Sequence, residues 1–171
     1  VFVLAVLPLL SISHGIDYDS SAVIDLTKRI FSGEYHGYVA TRHPGSPIYE
    51  LGVGFFFKVL EKLSVSSIYW PRILQWGTVC AAASLIIIFY IDLYTCIAHK
   101  TVALLIALSM ALHPVFLWHA SSTVEDIPAL FLAYLSFRMI YFSIAKSDFK
   151  IAWASVLVAC AIGSKANMVF Y

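Results

Sequence analysis

Long apolar runs separated by short polar segments dominate the second part of the chain, and a further apolar run opens it. A helix needs about 20 apolar residues to cross the hydrocarbon core of a membrane. Four runs approach this length, and the run at residues 1–13, counted as a truncated span, makes about five predicted spans. Their approximate limits are residues 1–13, 71–92, 101–119, 125–145 and 151–171. We therefore predict an all-α fold, a polytopic bundle of membrane helices.

Residues 14–70 lie between the first two apolar runs and form the predicted first outer loop. Apolar positions recur at helical spacing between residues 22 and 31, and Gly33 follows as a stop signal. A second amphipathic pattern covers residues 47–63, with Pro47 at the favoured first helical position. Its polar stripe consists of Glu50, Lys58, Glu61 and Lys62. We expect both helices to lie in the membrane interface, with residues 55–57, three phenylalanines, reaching the acyl region.

Composition supports a membrane protein. Of the 171 residues, 61% are hydrophobic and only 12% are charged, whereas a soluble domain has about 25% charged residues. A soluble domain of this size has too much surface to hide so many apolar groups. The formal net charge of +1 gives no basic excess for binding nucleic acid. Because the chain begins and ends within apolar runs, we expect residues 1–171 to be the N-terminal part of a larger transmembrane domain.

Lysines in the short loops predict the orientation. Lys100 follows the second span, and Lys146 and Lys150 follow the fourth. If spans alternate, these loops share one side, which the positive-inside rule assigns to the cytoplasm. The long loop of residues 14–70 and the segment 120–126 then face the opposite, extracytoplasmic side.

Ionisable residues accumulate on that outer side. They are Asp17, Asp19, Arg42, His43, Glu125, Asp126 and Lys165. A carboxylate can take a proton from a hydroxyl, and a cation can neutralise a departing phosphate. Arginine holds phosphate through a planar fork of donors, and Arg42 shortly precedes a predicted helix start, which also favours anions. Such a set suits a reaction on a charged lipid head group.

The order of several short motifs resembles the GT-C superfamily of glycosyltransferases, which includes protein O-mannosyltransferases and aminoarabinose lipid A transferases. The first outer loop of that superfamily combines an acid, an amphipathic helix, a Gly-aromatic step and a basic, proline-containing turn. The matching pieces here are Asp19-Ser20, Ser32-Gly33-Glu34-Tyr35 and the run RHPGSPIYE at residues 42–50. The later pieces are Pro114, Glu125-Asp126-Ile127-Pro128 and Gly163-Ser164-Lys165. The resemblance covers nearly the whole chain.

This resemblance implies transfer of a sugar from a polyprenyl- or dolichyl-phosphate carrier to an acceptor hydroxyl, with inversion at the anomeric carbon. It implies that Asp19 is the catalytic base, with Asp17 as a second candidate for that role. Arg42 matches the position that contacts the carrier phosphate. The implied partners are therefore a lipid-phosphate-linked sugar, a hydroxyl acceptor and the bilayer, with no nucleic acid.

The remaining candidates are assigned to substrate binding. Glu125 and Asp126 match second-loop acids that some members of the superfamily use for acceptor or metal contacts. Lys165 is an ionisable residue within a span, which makes it a functional candidate, and it is a helper to Arg42 at the phosphate. His43 adjoins Arg42 and has no second histidine at ligand spacing, so no metal site is assigned to it. The sequence requires no divalent metal as a cofactor and leaves one open.

Each of these residues also has a structural alternative. Asp19 can cap a helix, Arg42 can anchor the chain at any lipid phosphate, and Glu125 with Asp126 can stabilise a helix N-terminus. Lys165 can form a structural ion pair with a loop acid. His113 and His119, six residues apart, are expected on different faces of one helix, as polar contacts.

Two other classes of protein remain open at this stage. One is a segment of a transporter, which would show discontinuous helices and acids near the middle of the membrane. The other is a non-catalytic subunit of a membrane assembly, in which the charges only pair. The expected location is a multi-pass position in a bacterial plasma membrane or the endoplasmic reticulum.

Overall fold

The computed structural model describes residues 1–10, 25, 28–29, 32–34, 47–143 and 148–165. Within these residues the fold is helical and contains no strand, which confirms the predicted all-α class. The helices are α1 (Phe2–Leu10), α2 (Pro47–Lys62), α3 (Trp70–Ile97), α4 (Lys100–Ala111), α5 (Pro114–Ser121), α6 (Asp126–Ser143) and α7 (Asp148–Ser164).

Helix α3 is long and apolar enough to cross a membrane. Together with the 3₁₀ turn before it, it extends over 31 residues, Ser67–Ile97. Helices α4 and α5 pass the same criterion only as a pair, bent by 61° at the break between them. The apolar part of α7, Ile151–Ser164, is shorter. In the described residues, length and composition therefore identify one such helix, or two with the bent pair, and the five spans stay a prediction.

The predicted third span, residues 101–119, is formed by two helices rather than one, and as a span it stays a prediction. It divides into α4, which ends at Ala111, and α5, which begins at Pro114. Proline has no N–H to donate within a helix, and its ring forces the preceding residue out of the helical region. His113 accordingly has an extended backbone, with φ −63° and ψ 128°. The bend thus follows from Pro114.

Helices α3 and α6 pack on each other and run in the same direction. Near the start of α3, the Gln75 side-chain amide donates to the carbonyl of Ser121, just before α6, at 3.3 Å. Near the end of α3, Asp92 accepts from Nε of Arg138 at 2.9 Å. These contacts fix which ends of the two helices lie together.

Helix α7 runs antiparallel to α6. The Ser136 hydroxyl, buried between them, donates to the carbonyl of Ala154 at 3.0 Å. The end of α7 therefore meets the start of α6. Helix α4 packs on α3 and buries a stripe of small residues, which allows close helix approach. These residues are Ala103, Ala107 and Ala111.

Helix α2 confirms the helix predicted over residues 47–63, but its buried face differs from the prediction. Glu50, assigned to the polar stripe, is only 1% exposed. Phe57, expected in the acyl region, is buried and stacks on Trp70, with ring centroids 5.1 Å apart. Phe55, by contrast, is 67% exposed. The reason is that α2 packs on the protein through the face that carries Tyr49, Glu50, Val53, Phe57 and Leu60.

The predicted helix stop at Gly33 is confirmed. Gly33 has a φ of +84°, which glycine adopts readily, and the N–H of Glu34 donates to the carbonyl of Arg29 at 3.2 Å. The Arg29 guanidinium also donates to the exposed carboxylate of Glu34 and holds the pKa of Glu34 below its ordinary value. Of the predicted helix before Gly33, only residues 25 and 28–29 are described.

Candidate functional site

Asp126, the first residue of α6, lies between two basic side chains, one from α5 and one from the residue that follows α7. Nζ of Lys165 forms an ion pair with one carboxylate oxygen of Asp126. Nδ1 of His119 lies 2.8 Å from the other oxygen. We call these three residues the Asp126 cluster. The structure thus brings together two of the residues singled out from the sequence, Asp126 and Lys165, and adds His119.

The helices explain why these three residues meet. Lys165 directly follows the last turn of α7, and its N–H still donates to the carbonyl of Ala161 at 2.9 Å. Because α7 runs antiparallel to α6, this end of α7 lies at the start of α6. His119 belongs to the last turn of α5. Asp126 also lies where a helix N-terminus favours a negative charge.

The Asp126 cluster is partly shielded from solvent. The Asp126 side chain is 19% exposed and that of Lys165 is 27% exposed. Water screens such a pair less than it screens an ion pair on the surface. The ammonium group of Lys165 is therefore held by Asp126, and its side chain is still partly exposed at the surface of the protein.

A cavity of about 870 Å³ borders the Asp126 cluster. Its wall is mostly apolar and includes Met110, Phe116 and Leu130. The polar lining residues are Ser109, His113, His119, Asp126 and Lys165, and the last three are the Asp126 cluster. A site of this type suits a ligand that has a charged group attached to an apolar body.

The structure corrects the sequence-based interpretation of the two histidines. His113 and His119 were expected on different faces of one helix, but both line this cavity. They do so because the helix breaks at Pro114, so His113 lies at the bend and His119 one short helix further on. The signal in the sequence was a proline directly after a histidine within an apolar run.

Glu125, the neighbour of Asp126, is in a different environment. Its side chain is only 2% exposed, and it does not line the cavity. It belongs to a buried polar segment before α6 that also includes Ser121, Ser122 and Thr123. The Tyr49 hydroxyl of α2 donates to the Thr123 carbonyl at 2.5 Å and joins α2 to this segment.

The end of α7 also fixes the start of α2. A Cβ atom added at Gly163 would overlap Cγ1 of Ile48. Only glycine therefore allows α2 to approach α7 this closely. As a result, the N-terminus of α2 lies close to Lys165, two residues beyond Gly163.

At the opposite end of α6 lies a second polar cluster, which we call the Asp92 cluster. Nε of Arg138 donates to both carboxylate oxygens of Asp92, at 2.9 and 3.0 Å. The Tyr134 hydroxyl donates to the same carboxylate at 2.8 Å. Sequence reasoning placed none of these residues in a site.

Four of the predicted site residues lie outside the described residues: Asp17, Asp19, Arg42 and His43. Their predicted roles stay predictions. Among the residues that are described, no group of three or more His, Cys, Asp or Glu side chains is arranged to hold a metal ion.

Comparison with known proteins identifies no relative. No family model matches the chain, no curated protein matches it, and no solved structure matches it. Membership of the GT-C superfamily is therefore an expectation that rests on the sequence motifs alone.

Proposed function

We propose that the protein is a membrane glycosyltransferase that moves a sugar from a polyprenyl- or dolichyl-phosphate carrier to an acceptor hydroxyl, with inversion. The observation that carries this proposal is the Asp126 cluster at the wall of a mostly apolar cavity of about 870 Å³. A lipid-linked sugar has a matching combination of groups, since its phosphate separates an apolar tail from a polar sugar.

In this proposal, Lys165 binds the phosphate of the carrier. The isoprenoid tail lies along the apolar wall near Phe116 and Leu130. Asp126 holds the ammonium group of Lys165 in position before the donor arrives. The lipid phosphate leaves with its negative charge already present, so it needs a cation rather than a strong general acid.

The acceptor side of the reaction belongs to the first outer loop. Asp19 takes the proton from the acceptor hydroxyl, with Asp17 as the second candidate base. Arg42 and His43 bind the carrier phosphate from the loop side. Arg42 precedes Pro47 by five residues, so even an extended chain keeps it within about 17 Å of the α2 N-terminus. That N-terminus packs beside the end of α7, which supports a shared site with Lys165.

The proposed membrane arrangement has five spans, with the Asp126 cluster on the extracytoplasmic side. Supporting this orientation, Lys100 follows the end of α3 that lies far from Asp126. The bilayer is that of a bacterial plasma membrane or the endoplasmic reticulum.

Replacement of Lys165 tests the proposal. In membranes that contain the protein and a lipid-phosphate sugar donor, Lys165→Met is expected to lower the transfer rate about 100-fold or more, because a preorganised cation is lost from the leaving group. Lys58→Met is the matched control, since Lys58 is an exposed lysine on α2 that pairs with Glu61 at 2.8 Å. Full activity of the Lys165 variant contradicts the phosphate-binding role.

Asp19→Asn tests the catalytic base in the same assay. The expected loss is about 100-fold or more, the usual contribution of a positioned general base. Full transfer by the Asn variant removes the base assignment and leaves the role of Lys165 untouched. The two variants therefore separate the acceptor half of the mechanism from the donor half.

The break between α4 and α5 favours a transporter as the second candidate function. Discontinuous helices commonly form substrate sites in transporters, and this pair is bent by 61° beside the cavity. Against it, Asp126 lies at a helix end rather than near the middle of a span. Uptake of a lipid-linked or free sugar into vesicles without any transfer product would favour the transporter.

A further inference from the structure

Arg138 uses only part of its hydrogen-bonding capacity within the Asp92 cluster. A guanidinium group has five N–H donors, and here Nε makes the bonds to Asp92. In the described part of the chain, neither terminal nitrogen of Arg138 has a hydrogen-bond acceptor. The carboxylate, in contrast, accepts from Arg138 and also from Tyr134. The fork of terminal nitrogens thus remains available to another anion.

A cavity of about 330 Å³ lies beside these nitrogens, between α3 and α6. Its lining is almost entirely apolar and largely aromatic, and includes Phe89, Phe137 and Tyr141. The ring of Phe142 also lines it, with its centroid 5.1 Å from Cζ of Arg138. A cation over an aromatic ring at this distance is held in place electrostatically.

The cavity lies near one end of the bundle, because its residues Asp92 and Arg138 lie near the ends of their helices. Asp92 precedes the end of α3 by five residues, and Arg138 precedes the end of α6 by the same number. Five residues of helix rise about 7.5 Å. Aromatic side chains concentrate at this depth in membrane proteins, where the head groups begin.

The surrounding charge at this end is positive. Lys100 begins α4 directly after the end of α3 and is exposed. The sequence places Lys146 and Lys150 in and after the connection that follows α6. By the positive-inside rule this end faces the cytoplasmic leaflet, where the anionic lipids of many membranes are found.

We infer that Arg138 and the aromatic cavity bind an anionic phospholipid of the leaflet on the side of Lys100. The lipid phosphate accepts hydrogen bonds from the terminal nitrogens of Arg138, in the planar geometry that suits guanidinium and phosphate. An acyl chain lies against the aromatic wall. The inference is independent of sugar transfer and requires only that α3 and α6 cross the membrane.

A purely structural ion pair explains less of the geometry. It accounts for Nε of Arg138 and for the carboxylate of Asp92, but not for the two terminal nitrogens or for the apolar space beside them. A purely structural pair also makes a different prediction. Loss of either partner disturbs the other, so Asp92→Asn and Arg138→Gln would both weaken lipid retention. In the lipid site, Asp92 competes with the lipid phosphate for the guanidinium.

Lipid retention by the purified protein tests this inference. The protein is equilibrated with phosphatidylglycerol or phosphatidylcholine, and bound lipid is counted by native mass spectrometry. Arg138→Gln is expected to weaken retention of phosphatidylglycerol about five-fold, the usual effect of one basic residue near anionic lipid. Asp92→Asn is expected to strengthen retention, because it removes the competing carboxylate. Arg72→Gln, at the other end of α3, is the control and is expected to match the unmodified protein.

Two results with the single variants overturn the inference. One is equal retention of phosphatidylglycerol by the unmodified protein and the Arg138 variant. The other is weaker retention in Asp92→Asn, which a purely structural pair predicts. If Arg138→Gln alone does not fold, the double variant Asp92→Asn with Arg138→Gln removes both charges and is expected to show the same loss of lipid. Unchanged retention by that double variant also contradicts the proposed site.

Discussion

Helix α6 carries an ion pair near each end, and the two pairs differ in what surrounds them. At its start, Asp126 pairs with Lys165 from the end of α7 and borders a cavity of about 870 Å³. Near its end, Arg138 pairs with Asp92 of α3 and borders a cavity of about 330 Å³. In the first pair the carboxylate holds the cation at the larger cavity, whereas in the second the carboxylate accepts three hydrogen bonds from α6.

This difference shows that an ion pair by itself does not indicate function. Both pairs are partly buried, so removing either partner leaves a charge without compensation. The space around the cation decides what else can bind. The cavity beside the Asp126 cluster has room for a whole head group, and His113 also lines it. The Asp92 cluster offers the terminal nitrogens of one guanidinium in a smaller aromatic pocket.

The largest expected effect comes from exchanging the charges of one pair. Asp126→Lys combined with Lys165→Asp keeps opposite charges together but moves the cation to the start of α6. We expect sugar transfer to fall about 100-fold or more, because the cation no longer lies where the leaving phosphate needs it. The same exchange at Asp92 and Arg138 is expected to lower transfer far less.

The exchange at Lys58 and Glu61, an exposed pair on α2, is the control for the assay. Exposed pairs contribute about 0–1 kcal/mol to stability, so this variant is expected to remain folded and active. Equal losses of transfer from the exchanges at the two ends of α6 would show that the two clusters do not differ in their importance for sugar transfer.

A smaller effect is expected from Gly163→Ala, which acts on the Asp126 end alone. The added Cβ overlaps Ile48 and pushes α2 away from α7. Overpacking of this kind costs about 1–3 kcal/mol of unfolding free energy. Gly77→Ala on α3 is the matched control, because open space surrounds Gly77 and alanine favours the helix. Denaturant unfolding in mixed micelles measures both, and losses of equal size would contradict the close contact.

The smallest expected effect tests whether the two ends of α6 contribute independently to stability. Tyr134→Phe removes one hydrogen bond from Asp92 and is expected to lower the free energy of unfolding by about 1 kcal/mol. In a double-mutant cycle, Tyr134→Phe and Arg138→Gln share that carboxylate and are expected to couple by at least about 0.5 kcal/mol. Tyr49→Phe removes the hydrogen bond to Thr123, near the start of α6. Its effect on the free energy of unfolding is expected to be additive with that of Arg138→Gln. Coupling in that second cycle would contradict independent ends.

The sequence predicts those parts of the fold that local signals determine. Pro47 marks the start of α2, Gly33 marks a stop, and the apolar length around residues 71–92 predicts the helix that became α3. Asp126 begins α6 within one residue of the predicted start at 125. The information lies in nearby prolines, glycines and acidic residues or, for α3, in the length of the apolar run.

Long-range packing limited the rest of the prediction. Glu50 looks like part of a polar stripe in sequence, yet it is buried because α2 packs on a segment more than 70 residues later, which Tyr49 contacts at Thr123. The ion pair of Asp126 with Lys165 depends on the antiparallel contact of α6 and α7. Sequence reasoning named both residues as candidates because they are ionisable residues at or within spans, and it gave an ion pair with a loop acid as the structural alternative for Lys165, but it did not identify Asp126 as the partner. Sequence reasoning treated His119 only as a polar contact on one continuous helix. It did not assign His119 to a site, because the helix break at Pro114 changes the direction in which the chain continues.

The bend between α4 and α5 has a consequence for solvation. The Met110 carbonyl, which Pro114 cannot bond, accepts from the N–H of His113 at 3.2 Å, but the other carbonyls at the end of α4 need donors from outside that helix. Lipid tails supply none, whereas water molecules do. If this segment lies at membrane depth, water enters the space beside His113. In the proposed sugar transfer, a bound donor then meets water as well as its acceptor, so the proposal requires that transfer be favoured over hydrolysis by positioning of the acceptor rather than by exclusion of water.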